Sequence, residues 1–239
     1  MSAPPSIDRS ESQPLPGSRG PAIVARSLHR FYRTGDAETL ALQGVTVQVD
    51  PGELVAVVGP SGSGKSTLLA CLAGLDEPDA GSVEIVGKPV TGRSEQARAR
   101  IRARHVGMVF QSANLFEHLT LDQNVALVQH LGGAVNRSDR AALLESLGLS
   151  HRARVYPSRL SGGESSRAAL AVALANQPEV LLADEPTGEL DTATEAEVLG
   201  LLRRTAERGA AVLVASHSGA VAAAADRQIT LIDGRVESS

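Results

Sequence analysis

The segment Gly59-Pro60-Ser61-Gly62-Ser63-Gly64-Lys65-Ser66-Thr67 fits the phosphate-binding loop pattern G-x-x-x-x-G-K-[ST]. The apolar segment before it, Leu54–Val58, predicts a buried strand, and Thr67–Leu75 after it predicts a helix. Such glycines let backbone N–H groups close around phosphate oxygens, while the start of the helix adds the positive end of its dipole. Lys65 is expected to reach the β- and γ-phosphates, and Ser66 to ligate Mg²⁺. The alternative, a plain glycine-rich turn, is disfavoured by the flanking strand and helix.

The composition indicates a globular protein without a dominant nucleic-acid-binding surface, although it leaves room for a local basic patch. Its 239 residues suit one large domain or two small ones, with 42% hydrophobic and 21% charged residues. The formal net charge of -4 disfavours a dominant nucleic-acid or anionic-membrane surface. Cys71 is the only cysteine, so a disulfide framework and a cysteine-based metal site are excluded, and a small core residue is expected there.

No targeting or membrane-spanning segment is predicted. Residues 1–21 are rich in proline, serine and glycine, which indicates a disordered leader without the apolar stretch of a signal peptide. The longest apolar run, Ala168–Ala175, is far shorter than the roughly 20 residues of a spanning helix. We therefore expect a cytoplasmic protein whose membrane role, if any, comes through a partner.

Several further segments predict β-structure. Ile23–Tyr32 and Val45–Val49 indicate strands, and the second alternates apolar with polar residues, so one of its faces should meet water. A short strand pair is predicted between Gly81 and Val90. Ile229–Val236 should form a terminal hairpin with its turn at Asp233-Gly234.

Helix signals fill the rest of the chain. Thr120 with Gln123 forms a plausible capping box for a helix that stops at Gly132, and another helix is expected from Ser138 to Gly148. The basic run Arg98–Arg104 favours a solvated helix face, and a nucleic-acid contact is the alternative. Asp191 should cap an amphipathic helix over Thr192–Arg208.

A second candidate anion site opens the helix that contains Ala168–Ala175. Ser161 with Glu164 again has capping-box spacing, and the glycines Gly162 and Gly163 leave bare N–H groups at the helix start. An ordinary capped helix is the alternative.

Four apolar strands end in polar groups that suit nucleotide hydrolysis. One precedes the phosphate loop, and the others end at Gln111, at Asp184-Glu185 and at His217. Because ligands bind beyond the carboxyl ends of parallel strands, these groups can converge on one nucleotide. Asp184 suits the Mg²⁺ shell, and Glu185 can position or deprotonate the attacking water. Each of these residues also has an ordinary interpretation when it is taken alone. Gln111 fits a loop residue, Asp184-Glu185 fits a solvated corner, and His217 fits a surface histidine.

Together these motifs resemble those of an ATP-binding cassette (ABC) ATPase over residues 22–237. The matching segments are Gly59–Thr67, Phe110-Gln111, the signature Leu160–Glu164, Leu181–Pro186, Leu190-Asp191 and Ser216-His217. The resemblance implies an α/β P-loop NTPase fold with a mostly parallel core sheet flanked by helices. It also implies an N-terminal antiparallel β subdomain and a helical subdomain inserted at about residues 112–160, between the Gln111 loop and the signature.

The resemblance also implies how ATP and Mg²⁺ are bound. ATP would lie in a head-to-tail dimer, between the phosphate loop of one copy and the signature of the other, where Ser161 and Gly163 would touch the γ-phosphate. Gln111 would sense Mg²⁺ and water, and His217 would contact the γ-phosphate. Asp191 would communicate across the dimer.

Adenine binding is carried over in the same way. Tyr32 matches the aromatic residue that stacks on adenine. Packing is the competing role for Tyr32, and Phe31 is the alternative stacking residue.

Within the family, the likeness is to the lipoprotein-release, macrolide-export and cell-division type. The segments that carry it are Val109–Leu115, Leu119-Thr120, Asn124-Val125 and Ala183–Gly188. Such subunits drive a membrane permease from the inner face of the membrane. An importer ATPase, a soluble ABC protein acting on DNA or ribosomes, and a P-loop kinase are the alternatives.

The chain departs from that type at several positions. Glu117, Gln123 and Glu189 replace the common Pro, Glu and Asn, Ser165-Ser166 replaces glutamines, and Ser218 follows His217 where Asp is frequent. None of these departures removes a catalytic group.

Overall fold

The computed structural model describes residues 20–34, 37–111, 115–133, 137–188 and 190–237. The predicted leader lies outside the described residues except for its last two positions. Glu189 and residues 112–114 of the family motifs also lie outside them.

One of the two sheets in the described chain is antiparallel. Its strands are β1 (Ile23–Thr34), β2 (Ala37–Val49), β4 (Ala80–Ile85) and β5 (Lys88–Pro89), in the order β2-β1-β4-β5. The predicted alternation in β2 is confirmed, because Val45, Val47 and Val49 are buried while Thr46 and Gln48 are exposed. This strand begins earlier than the sequence predicted, since a register shift opposite Leu28 and His29 carries the pairing past Gly44.

The other sheet is mostly parallel and includes the phosphate-loop strand. Its members are β3 (Leu54–Val58), β6 (Val106–Val109), β7 (Val180–Asp184), β8 (Ala211–Ala215), β9 (Arg227–Ile232) and β10 (Arg235–Val236). The order is β10-β9-β3-β8-β7-β6, and only the terminal β9–β10 hairpin is antiparallel. Every residue of β8 is buried, as expected for a strand covered on both faces.

Helices cover both faces of this sheet. They are α1 (Lys65–Leu72), α2 (Glu95–His105), α3 (Leu121–Gly132), α4 (Arg137–Ser146), α5 (Gly162–Ala173), α6 (Thr192–Glu207) and α7 (Gly219–Ala224). One buried cluster joins Val55 and Val57 of the sheet to α1, and it includes Cys71, as predicted. The other cluster joins Leu54 and Ala56 to α5 and α6.

The helix boundaries follow local chemistry. The capping boxes at Thr120 and Ser161 are both formed, and Asp191 caps α6. Helix α1 starts at Lys65, two positions before the predicted start, because Gly64 adopts a left-handed conformation immediately before it. Helix α7 was not predicted, because its six alanine-rich residues carry no apolar period.

The basic run lies on α2, where two of its arginines are engaged within the chain. Arg98 pairs with Glu77 and Glu95, and Arg102 pairs with Glu95 and donates to the carbonyl of Gly74 at 2.6 Å. These partners compete with any phosphate backbone, which supports the helix-face interpretation over a nucleic-acid contact.

The segment expected to be a helical subdomain contains α3, α4 and two short 3₁₀ turns between β6 and α5. The division of the chain into subdomains stays a prediction. No helix in the described part of the chain combines the length and apolar character that crossing a membrane requires.

Candidate functional site

The four predicted strand ends meet along one edge of the parallel sheet. Strands β3, β8, β7 and β6 are neighbours in that order and run parallel. Lys65, Gln111, Asp184, Glu185 and His217 accordingly line a single cleft beyond their carboxyl ends.

The phosphate loop depends on Gly64. Its φ is 101°, and a Cβ atom there would lie 2.3 Å from the carbonyl oxygen of Ala41, so a larger residue would clash with backbone. The following Lys65 is only 9% exposed, and its Nζ donates to the carbonyls of Gly59 at 2.8 Å and Pro60 at 3.0 Å. The ammonium group therefore lies across the loop and can exchange these carbonyls for phosphate oxygens.

The loop residues differ in how they meet the cleft. Ser61, Gly62, Gly64 and the segment Lys65–Thr67 line it, whereas Gly59, Pro60 and Ser63 do not. Ser63 is 2% exposed, and its Oγ has no hydrogen-bond partner among the residues that the structure describes. Its side chain thus faces the interior of the loop, so only its backbone is placed to serve a ligand.

Asp184 and Ser66 are paired at the base of the cleft. Burial raises the pKa of the Asp184 carboxyl, and this effect is opposed by a hydrogen bond with the Ser66 hydroxyl and by the charge of Lys65. Gln111 lines the same cleft from the end of β6.

These oxygen donors fit a magnesium ion. No group of three or more His, Cys, Asp or Glu side chains that could hold a metal occurs among the described residues. Mg²⁺ is commonly held by one or two protein oxygens together with water and substrate phosphates, so Ser66, Asp184 and Gln111 suit it when a nucleotide supplies the rest.

Glu185 is held at the end of β7 by neighbours from β8. Its backbone has a positive φ of 47°, and its N–H donates to the carbonyl of Ala215 at 2.9 Å. Ser216 Oγ donates to Glu185 Oε2 at 2.9 Å, and His217 Nδ1 lies 2.9 Å from Oε1. Since a carboxylate can only accept, the Nδ1 proton lies on His217, and Nε2 is left for another partner. The carboxylate is thereby fixed in orientation.

Sequence reasoning assigned no role to Ser216. Ser216 is fully buried, and its hydroxyl donates a hydrogen bond that fixes one carboxylate oxygen of Glu185. A serine directly after an apolar strand and before a histidine was the available signal.

Tyr32 lines the cleft from β1, and Phe31 does not. The Tyr32 hydroxyl donates to Asp76 Oδ2 at 2.7 Å, and the guanidinium of Arg30 lies 4.8 Å from the ring centroid. Burial and the neighbouring Asp76 raise the pKa of Tyr32. The ring is therefore held in place and remains 38% exposed.

The signature segment is organised by its capping box. Glu164 accepts a hydrogen bond from the backbone N–H of Ser161 at 2.9 Å and one from Arg152 Nε at 2.7 Å. These two donors lower the pKa of Glu164 to about 2, the Ser161 N–H contributing most. Because its carboxylate is held by its own chain, Glu164 orders the helix start rather than offering a free ligand.

The signature segment lies only partly in the cleft. Gly162 lines it, whereas Ser161, Gly163 and Glu164 do not. A Cβ atom on Gly163 would lie 2.7 Å from Thr194 Cγ2, so this glycine permits close packing of α5 against α6. Ser165 and Ser166 also line the cleft, so within one copy Ser161 and Gly163, the two residues predicted to touch the γ-phosphate, are left outside its lining.

Asp191 caps α6 and also lies outside the lining of the cleft. Its Oδ1 accepts from the N–H groups of Ala193 at 3.0 Å and Thr194 at 3.1 Å, and its Oδ2 accepts from Thr194 Oγ1 at 2.8 Å. The hydroxyl of Thr194 is the largest cause of the lowered pKa of Asp191. Its predicted role across a dimer stays a prediction.

Comparison with known proteins agrees with this geometry. A protein-family profile described as "ABC transporter" matches residues 42–188. The lipoprotein-releasing system ATP-binding protein LolD 2 of Caulobacter vibrioides is 44% identical over 91% of this chain and 97% of its own length. The methionine import ATP-binding protein MetN of Nocardia farcinica is 42% identical over 92% of this chain and 67% of its own length.

A solved structure has the same fold. The ATP-binding cassette MJ0796, in a dimeric post-hydrolysis state bound to ADP and Pi, superposes with a TM-score of 0.85 at 36% identity, covering 90% of this chain and 97% of that one. With a profile that spans more than half of the chain and relatives matched over nearly all of it, the chain belongs to the ABC transporter family as an ATP-binding cassette, an ATPase.

Proposed function

We propose that Glu185 is the general base of ATP hydrolysis in this cassette. The observation that carries the proposal is that both oxygens of its carboxylate accept a hydrogen bond, Oε2 from Ser216 and Oε1 from His217. It follows Asp184 directly in the chain and is 13% exposed at the cleft, so it can accept a proton from a water placed there. The neighbouring His217 side chain is 72% exposed, and its Nε2 is available to the γ-phosphate while Nδ1 holds Glu185.

The rest of the cleft supports phosphate binding. Lys65 and the N–H groups at the start of α1 are placed to neutralise the β- and γ-phosphates. Ser66, Asp184 and Gln111 would hold Mg²⁺, which supplies charge neutralisation on the phosphate oxygens when bound. Tyr32 offers an exposed ring face for adenine.

We infer that a second copy of the chain completes each site. The N–H groups that begin α5 point to an anion site, yet Ser161 and Gly163 do not line the cleft of their own chain. A head-to-tail dimer would bring them to a partner's phosphate loop, and the structural relative MJ0796 is a dimer with bound ADP and Pi. ATP binding would then close the dimer and hydrolysis would reopen it.

We further propose that the cassette drives an export-type permease from the inner face of the membrane. Both a lipoprotein-releasing and a methionine-import relative match this chain. The chain spans 97% of the length of the releasing relative and 67% of the import relative, so the whole-length likeness favours the releasing type.

The direct test is Glu185→Gln, which keeps the size of the side chain and one of its two acceptor oxygens and removes its basicity. Because general base catalysis contributes about 10²–10⁴ in rate, ATP turnover should fall about a hundredfold or more while ATP binding persists. The variant should also accumulate as an ATP-dependent dimer in light scattering. The matched control is Glu207→Gln, at a 61% exposed carboxylate at the end of α6 that does not line the cleft. Wild-type turnover by Glu185→Gln would refute Glu185 as the base.

A further inference from the structure

Glu195 on α6 is hydrogen-bonded to the segments that follow both β7 and β8. Its Oε1 accepts from Ser218 Oγ at 2.7 Å and from Thr187 Oγ1 at 3.2 Å. Thr187 is only 4% exposed, so its hydroxyl depends on this partner. One carboxylate oxygen therefore links a helix to two loops of the cleft.

The first loop is the turn that contains Glu185 and Thr187. The Gly188 N–H donates to the carbonyl of Glu185 at 3.2 Å, and the Leu190 N–H donates to the carbonyl of Thr187 at 3.1 Å. These bonds close a compact turn immediately after the proposed base. Glu195 anchors this turn at the side chain of Thr187.

The second loop carries His217. The Ser218 N–H donates to Ser216 Oγ at 3.1 Å, and Ser216 Oγ donates to Glu185 Oε2 at 2.9 Å. Their directions are fixed, because a backbone N–H can only donate and a carboxylate can only accept. The hydrogen bonds thus run from Glu195 through Ser218 and Ser216 to Glu185, and His217 lies between the two serines in sequence.

Ser218 has both of its hydroxyl functions in use. Its Oγ accepts from the Ala220 N–H at 3.1 Å to cap α7 and donates its proton to Glu195. An aspartate at this position could cap α7 but could not donate, and its charge would face that of Glu195. Serine at 218 and glutamate at 195 are therefore chemically matched.

We propose that Glu195 is a positioning residue that sets the orientation of Glu185 and His217 through Thr187 and Ser218. This inference rests on the proposed role of Glu185. Glu195 does not line the cleft, so its loss should lower turnover and leave nucleotide affinity nearly unchanged.

The first experiment compares Glu195→Ala, Glu195→Gln and the control Glu197→Ala. Glu197 lies on the same helix, and its carboxylate pairs with Arg167 instead of the cleft loops. We expect Glu195→Ala to lower kcat for ATP about tenfold with ATP affinity within about twofold, since misplaced catalytic groups cost rate more than binding. Glu195→Gln keeps a carbonyl acceptor and should stay within about threefold of the wild-type kcat. A kcat for Glu195→Ala within about twofold of wild type would overturn the proposal.

The second experiment separates positioning from a general loss of folding. Ser218→Asp alone should lower kcat about tenfold, and adding Glu195→Ala to it should cost little more, because both changes break the same link between Glu195 and Ser218. A merely structural role predicts that the two losses add in both thermal unfolding and rate. Additive losses in kcat would therefore contradict the proposal, and this result stands even if Glu195→Ala alone folds poorly.

Measuring Glu185→Gln in the same assay distinguishes a wrong assignment of the base from a wrong assignment of the positioning residue Glu195. If Glu185→Gln turns over ATP at the wild-type rate, the proposed base is wrong. If Glu185→Gln is inactive while Glu195→Ala is fully active, only the positioning role of Glu195 is wrong.

Discussion

At the scale of single residues, the aromatic side chain for adenine can be decided between two neighbours. Tyr32 and Phe31 are almost equally exposed, at 38% and 39%, so exposure does not separate them. Their placement does, because only Tyr32 lines the cleft, and its hydroxyl and ring are held by Asp76 and Arg30. A ring fixed in advance loses little conformational entropy when a base stacks on it.

The test is Tyr32→Ala against Phe31→Ala. Base–aromatic stacking contributes about 1–3 kcal/mol, so Tyr32→Ala should weaken ATP affinity about tenfold or more, measured with a fluorescent ATP analogue. Phe31→Ala should leave affinity within about twofold. Tyr32→Phe keeps the ring and loses only the bond to Asp76, so its effect should lie between the two. Equal losses for Phe31→Ala and Tyr32→Ala would contradict the assignment.

At the scale of the secondary-structure elements, sequence prediction succeeded where one local signal governs an element. The apolar runs of β3, β7 and β8 and the capping box of α5 are such signals, because burial on two faces and a fixed cap spacing leave few alternatives. Prediction failed where pairing partners decide the outcome. The start of β2, for example, depends on its pairing with β1. Prediction also failed for α7, because its sequence has no apolar period to indicate a helix.

The candidate site divides in the same way. The residues at strand ends could be found, because a parallel sheet brings them to one edge. The contacts of Glu195 with Thr187 and Ser218 could not, because they join α6 to two loops through side chains separated by 8 and 23 positions. The capping role of Glu164 was predicted, while its pairing with Arg152 across 12 positions was not.

Helix α5 supplies a prediction with a defined pH dependence. The folded-state pKa of Glu164 is lowered from 4.5 to about 2, mainly by the Ser161 N–H and then by Arg152. A lowered carboxyl pKa stabilises the fold above the unfolded value of 4.5 and ceases to do so as the pH falls toward about 2.

Glu164→Gln should therefore lower the midpoint of thermal unfolding at pH 7 relative to the wild type, and the difference should shrink as the pH is lowered below about 4. Circular dichroism melts across this range measure the difference. Gln123→Ala is the comparison, since it removes the corresponding capping-box side chain of α3 without removing a charge. Its effect should not change with pH in this way, and a pH-independent effect of Glu164→Gln would contradict the origin assigned here.

At the scale of the whole molecule, the chain carries two glycine-rich helix starts, and the second shares only part of the cleft that the first one lines. The phosphate loop and α1 line the cleft together with Gly162, Ser165 and Ser166 of α5, whereas Ser161 and Gly163 do not. In the proposed head-to-tail dimer, the phosphate loop of the partner would bring a phosphate to Ser161 and Gly163. The proposed interface would depend on nucleotide, because the triphosphate would be the group shared by the two copies.

Cross-linking between two differently labelled copies tests this arrangement. The one native cysteine, Cys71, is buried, so engineered cysteines supply the reactive pair. On the Glu185→Gln background, one preparation carries Ser61→Cys in the phosphate loop and the other carries Ser161→Cys in the signature.

When the two preparations are mixed with ATP and a short bis-maleimide, we expect a product of twice the 24.8 kDa chain mass, because the loop of one copy faces the signature of its partner. The same mixture without nucleotide should give little product. Each preparation alone should also give less product than the mixture, because in a dimer of identical copies the engineered cysteine would face a serine of the partner. Equal yields with and without ATP, or from either preparation alone, would show that the signature does not meet a partner's phosphate loop. In that case each cleft would have to bind and hydrolyse ATP with the residues of one chain.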